Sequence, residues 1–160
     1  MRWLLSGAAA VAVALGGCAG QELKRASPYC AQAEGLLVGL EIPKTSILRG
    51  ETVTVGVVAV NLTDKPIAIH ATTGAPVHLS VWRSTGIGWE MVKRYPRAAT
   101  MVMTTWTLAP RAQRRFEMNL TVEPDWPTHE PLRLTAELNG RDDVVAAAPI
   151  TVVSLPPAAQ

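Results

Sequence analysis

Three histidines, His70, His78 and His129, are the side chains of this sequence that titrate near neutral pH without special tuning, so they are where a search for general bases or metal ligands begins. None lies in the His-Glu-x-x-His spacing of a metalloprotease, and the chain has no Gly-x-Ser-x-Gly elbow and no glycine loop of the kind that cradles phosphate. One pair can be placed by register. If residues 67–72 and 77–83 form a hairpin, Ile67, Ile69 and Ala71 share a core face with Leu79 and Val81. Matching apolar to apolar across a Thr73-Gly74-Ala75 loop sets His70 opposite His78 on the outer face, beside Ser80 and Trp82. Two such imidazoles can hold zinc or copper, but a stable site needs third and fourth ligands, and none lies near them in sequence. The plainer reading is two partly exposed histidines on a sheet face, and no metal or cofactor is implied. A connection that crosses between sheets would abolish the pairing.

The acids are no richer in catalytic geometry. Asp142-Asp143 follows Asn139-Gly140-Arg141 in a turn, whereas paired-carboxylate hydrolysis needs partners from separate elements flanking a cleft. Trp82, Trp89, Trp106 and Trp126 stand against a single phenylalanine, Phe116. Some must pack in the core. Trp82, sharing the expected outer face with His70 and His78, is the best candidate for an exposed aromatic platform that binds glycan or protein.

The cysteines point to an address. Met1-Arg2-Trp3 is a short basic start, and an uncharged run from Leu4 to Leu15 follows, too short to span a bilayer permanently. It ends in Leu15-Gly16-Gly17-Cys18, which resembles the bacterial lipobox: an aliphatic residue, two small ones, then cysteine. That resemblance implies removal of residues 1–17, diacylglyceryl transfer to the Cys18 sulfur and acylation of the new amino group. Two or more acyl chains give stable anchoring. The alternative is an ordinary secretory cut that leaves Cys18 free to pair with Cys30. Cys30 has no base near it in sequence, and catalysis is not expected of it.

What positions these residues is a β-rich domain. Residues 18–35 are polar, small and unpatterned, and read as a tether, lipidated at its first residue. A two-residue period then takes over: Phe116, Met118, Leu120 and Val122 alternate with polar residues, as do Leu132, Leu134, Ala136 and Leu138. Val53, Val55 and Val57 change phase to Val58, Val60 and Leu62 around Gly56, which reads as a β-bulge. Turn signals such as Arg49-Gly50, Asp64-Lys65-Pro66, Gly86-Ile87-Gly88 and Asn139-Gly140 separate about eight strands. The expected fold is all-β, an antiparallel immunoglobulin-like two-sheet sandwich over residues 36–155, with a short tail at 156–160. The full sequence carries 15 Lys+Arg against 13 Asp+Glu, a balance that draws it to no nucleic acid.

Gly50-Glu51-Thr52-Val53-Thr54-Val55, running into Val60-Asn61-Leu62-Thr63-Asp64-Lys65-Pro66-Ile67, resembles the early strand pair of bacterial immunoglobulin-like domains, including the BsuPI-like (intracellular proteinase inhibitor) group. Thr107-Leu108-Ala109-Pro110 leading to Phe116-Glu117 is similar to their turn before a late strand. The resemblance implies a sandwich and, as one option, peptidase inhibition. It carries over no binding residue. The sequence-based expectation is a non-catalytic module of the cell envelope that binds another protein or the wall, held to membrane lipid through Cys18.

Overall fold

The computed structural model describes residues 27–154. The expected leader at 1–17, Cys18 and the tail at 156–160 lie outside the described residues. Among those described, the regular structure is strand: β1 (Cys30–Ala33), β2 (Leu36–Glu41), β3 (Ser46–Leu48), β4 (Thr52–Asn61), β5 (Ile67–Ala71), β6 (Val77–Ser84), β7 (Trp89–Tyr95), β8 (Thr104–Leu108), β9 (Gln113–Thr121), β10 (Pro131–Leu138) and β11 (Arg141–Val153). They form a four-stranded sheet ordered β1-β2-β4-β9, a five-stranded sheet ordered β3-β11-β10-β6-β7, and a two-stranded ribbon of β5 and β8. The two larger sheets pack as a sandwich. One pair departs from the antiparallel expectation: β3 runs parallel to the end of β11, with Ile47 beside Val152.

Alternation decides which side chains enter the core. Leu132, Leu134, Ala136 and Leu138 all face inward from β10, and Val53, Val55, Val57 and Ala59 do so from β4. Each fully buried Leu, Val or Ile contributes about 1.5–3 kcal/mol over its exposed state. Trp126 is buried in this core, with the Tyr95 ring 6.5 Å away.

Three expectations are corrected. First, β4 has no bulge at Gly56: its register with β2 and β9 is unbroken. The strand changes apparent phase because Val58 and Val60 are buried on the opposite face, in a small cluster with Leu37. Gly56 has a different duty. A Cβ there would stand 2.8 Å from Glu41 Oε2 and 3.1 Å from Arg115 Nη2, so its missing side chain makes room for the Glu41–Arg115 ion pair to cross the strand.

Second, the tether expected to run to residue 35 becomes part of the fold by residue 27. Ser27 is buried and donates from Oγ to the Leu40 carbonyl at 2.6 Å, and β1 pairs with β2. Four short residues, Cys-Ala-Gln-Ala, gave too brief a pattern to read as a strand.

Third, β5 and β6 are not a hairpin. β5 pairs with β8, while β6 lies between β10 and β7, so the connection crosses between sheets. Ile69, Ala71, Leu79 and Val81 are nonetheless buried, as their alternation requires. The ribbon spans from the end of β4 in one sheet to the β10–β11 turn in the other. At that turn Gly140, with φ of 88°, is pressed against the ribbon: a Cβ would lie 2.1 Å from the His70 carbonyl oxygen.

Candidate functional site: the outer face of the five-stranded sheet

The correction to β5 separates the two histidines. His70 faces Thr105 across the ribbon, with Nδ1 and Oγ1 3.0 Å apart, whereas His78 lies opposite Glu137 on the outer face of the larger sheet. No group of three or more His, Cys, Asp or Glu among the described residues is placed to hold a metal ion. His129 pairs with Ser154 through Nε2 and Oγ at 3.1 Å, remote from either. Cys30 lies at the start of β1, and Asp143 is engaged by Arg141 at 2.7 Å.

His78 and Trp82 do share a face, and the register shows what accompanies them. On β6 the outward residues are His78, Ser80, Trp82 and Ser84, and on β10 their neighbours are Arg133, Thr135 and Glu137. A register shift between Val81 and Trp82 rotates β7, so that Met91 stands beside Trp82 and Trp89 beside Ser84. On the other side, β11 offers only Val145, Ala147 and Pro149. Tall aromatic side chains thus line one flank of β10 and short apolar ones the other.

Trp82 reaches diagonally to Thr135 of β10, and Arg133 of β10 reaches to the Trp89 ring. Trp82 donates from Nε1 to Thr135 Oγ1 at 3.0 Å, which fixes its ring and satisfies its one polar atom. Trp89 is 49% exposed, and the Arg133 guanidinium lies 5.6 Å from its ring centroid. Farther along, Arg94 and Glu137 form an ion pair at 2.6 Å. Burial, with Arg94 adding to it, pushes the His78 imidazole below its ordinary pKa, and its Nδ1 is buried without a hydrogen-bond partner.

Three depressions follow one another along β10. The first, about 360 Å³, lies by Trp89, Arg133, Ala147 and Pro149. The second, about 290 Å³, lies by Trp82, Trp89, Arg133, Thr135, Glu137 and Val145. The third, about 260 Å³, is more polar, with His78, Arg94, Glu137 and Asp142. Arg133 is common to the first two and Glu137 to the last two, so the depressions form one shallow groove crossed by two charged side chains.

Sequence reasoning identified Trp82 and His78 for this face. It missed Trp89 and Arg133. Alternation in β10 placed Arg133 outward, and that signal was available. Trp89 was not readable, because the register shift that turns it toward β10 leaves no mark in the residue pattern. The other tryptophans are accounted for by packing: Trp126 in the core, and Trp106 edge-on to Phe116 at 5.5 Å with Arg114 over both rings.

No protein-family profile matches the chain, and no curated protein matches it. Solved structures do. The sporulation control protein Spo0M of Bacillus subtilis is similar over 78% of this chain and 51% of its own, with a TM-score of 0.56 and 15% identity. The likeness is one of fold. This chain spans about half the length of that structure. A CARDB domain from Pyrococcus furiosus, solved with di-metal ions, is similar over 79% of this chain and 97% of its own, with a TM-score of 0.45 and 15% identity.

Proposed function

We propose that this protein is a lipid-anchored module of the bacterial cell envelope, which binds a macromolecule through the outer face of its five-stranded sheet and catalyses no reaction. One observation carries the binding part: two tryptophans and an arginine converge on an open groove instead of packing inward. Trp and Arg are the residues that most often dominate binding energy at interfaces. The anchor rests on Leu15-Gly16-Gly17-Cys18 after an uncharged apolar run. Among the described residues, no helix is long and apolar enough to cross a membrane.

Two measurements test this reading. A Cys18→Ser chain should leave the membrane fraction or accumulate as precursor, and fractionation like the parent would remove the anchor from the proposal. In-cell crosslinking with the parent and with Trp89→Ala should show a product that the variant lacks. Turnover of any substrate would overturn the non-catalytic assignment.

A second reading, peptidase inhibition of the BsuPI-like kind, is favoured by a different feature. Met101 and Met103 are 88% and 80% exposed on the segment between β7 and β8, an exposed connection of the sort a peptidase cleft can accept. Tight inhibition of one enzyme in a peptidase panel, lost on Met101→Asp, would favour it.

A further inference from the structure

We infer that the groove along β10 is a glycan site, and that its ligand is the β-1,4-linked N-acetylhexosamine backbone of the cell wall. This rests on the envelope-module reading above and narrows it to one ligand chemistry.

The first argument is what the indoles leave available. An aromatic groove that reads proline-rich peptide uses polar tips as well as apolar rings. Trp82 has its N–H committed to Thr135, so it offers a ring face and no donor. The part of the ligand over Trp82 must therefore present an apolar surface of its own, which a pyranose does through the C–H bonds on one side of its ring. The second argument is the rim. Arg133 and Glu137 are planar, multidentate groups that line the same depression as the two rings, with Arg94 in the next, and all three are able to bond the hydroxyl and amide edges of a sugar. Mostly apolar walls with a few convergent polar groups are the usual make-up of a small-ligand site.

The third argument is length. Arg133 and Glu137 are four strand residues apart, roughly 13 Å at about 3.3 Å per residue. Depressions lie before, between and beyond them. A single monosaccharide would occupy one depression, whereas a linear chain would occupy all three. Arg94 is already neutralised by Glu137, and the Arg133 guanidinium lies against the Trp89 ring, where its N–H groups can bond the oxygens of a sugar. The short side chains of Val145 and Ala147 leave space on the far flank for the N-acetyl groups.

Chitohexaose is the probe, titrated calorimetrically into the full chain in detergent, with sedimentation on purified wall sacculi in parallel. The parent should bind both. Trp89→Ala should weaken chitohexaose binding by about tenfold or more, as loss of an aromatic anchor does. Trp89→Phe should retain most of the affinity, because a ring face remains. Trp89 is exposed, so its replacement leaves the core intact; His70→Ala, on the other element, should bind like the parent. Failure of the parent to bind chitohexaose and sacculi, equal affinity in Trp89→Ala, or tighter binding of decaproline would each overturn the glycan assignment. If sugars fail while the Trp89-dependent crosslink persists, the module reading stands and only the ligand is wrong. If the crosslink is also absent, both fall.

Discussion

Asn61 and Asn139 hold opposite ends of the same ribbon. Asn61 is fully buried at the end of β4; its Nδ2 donates to the carbonyls of Lys65, Leu108 and Ala109, and its Oδ1 accepts from the Thr63 N–H and Oγ1. Asn139, in the β10–β11 turn, donates to Thr73 Oγ1 and the Ala75 carbonyl and accepts from Thr72 N–H and Oγ1. A buried amide with every group engaged specifies one arrangement, and the two sheets are thereby tied through β5 and β8. Asn139→Ala should destabilise by about 1–3 kcal/mol or more, because it leaves buried partners unpaired. Urea denaturation reads this directly; a loss below about 0.5 kcal/mol would mean that the ribbon is not held there.

The start of the chain gives a second prediction, at a boundary the sequence placed too late. Removing residues 19–35 should lower the melting temperature clearly below that of a chain lacking only residues 19–26, since it takes away β1 and the Ser27–Leu40 bond and opens the edge of β2. Equal melting temperatures for the two deletions would show that β1 adds nothing to the folded domain.

How far the fold could be read from sequence follows from the range of the forces concerned. Leu132 to Leu138 and Phe116 to Val122 could be assigned to half-buried strands because alternation is a local consequence of one face meeting a core. The partner of β5 could not be assigned. The inward set Ile67, Ile69 and Ala71 is satisfied equally by β6 or by β8, and the choice is made by Asn61 and Asn139, whose bonds reach across as many as 67 positions in sequence. The same distinction divides the candidate site. Trp82 and His78 share a strand and a parity, so their common face was legible; His70 entered the expected site through a pairing that alternation alone does not determine. Trp89 reaches the groove only through the register shift in β6 and β7.

Gly140 supplies a third prediction. Its left-handed backbone and the 2.1 Å approach of the His70 carbonyl act together, so Gly140→Ala must both strain the turn and displace the ribbon. The cost should exceed the roughly 1 kcal/mol typical of a glycine replaced at positive φ alone. Gly86→Ala is the control: its φ is 83°, and nothing lies within 4 Å of the added carbon. Comparable losses in the two variants, measured by urea denaturation, would show that contact with His70 adds nothing beyond backbone strain.

The last prediction concerns pH. Burial, followed by the charge of Arg94, holds the His78 pKa below its ordinary 6.5; the charge of Glu137 opposes the shift without cancelling it. Between the lowered folded value and the unfolded one, the unfolded chain binds more protons than the folded chain. The contribution of His78 therefore favours the folded state fully above pH 6.5 and declines as the pH falls through that value, levelling off below the folded pKa. His78→Gln keeps a polar side chain but cannot titrate. The stability difference between parent and variant should be constant from about pH 7 upward and should change as the pH falls below about 6.5, to the disadvantage of the parent. Parallel pH profiles in urea denaturation would mean that the His78 imidazole titrates alike in the folded and unfolded chains, and that the buried Nδ1 places no burden on its protonation.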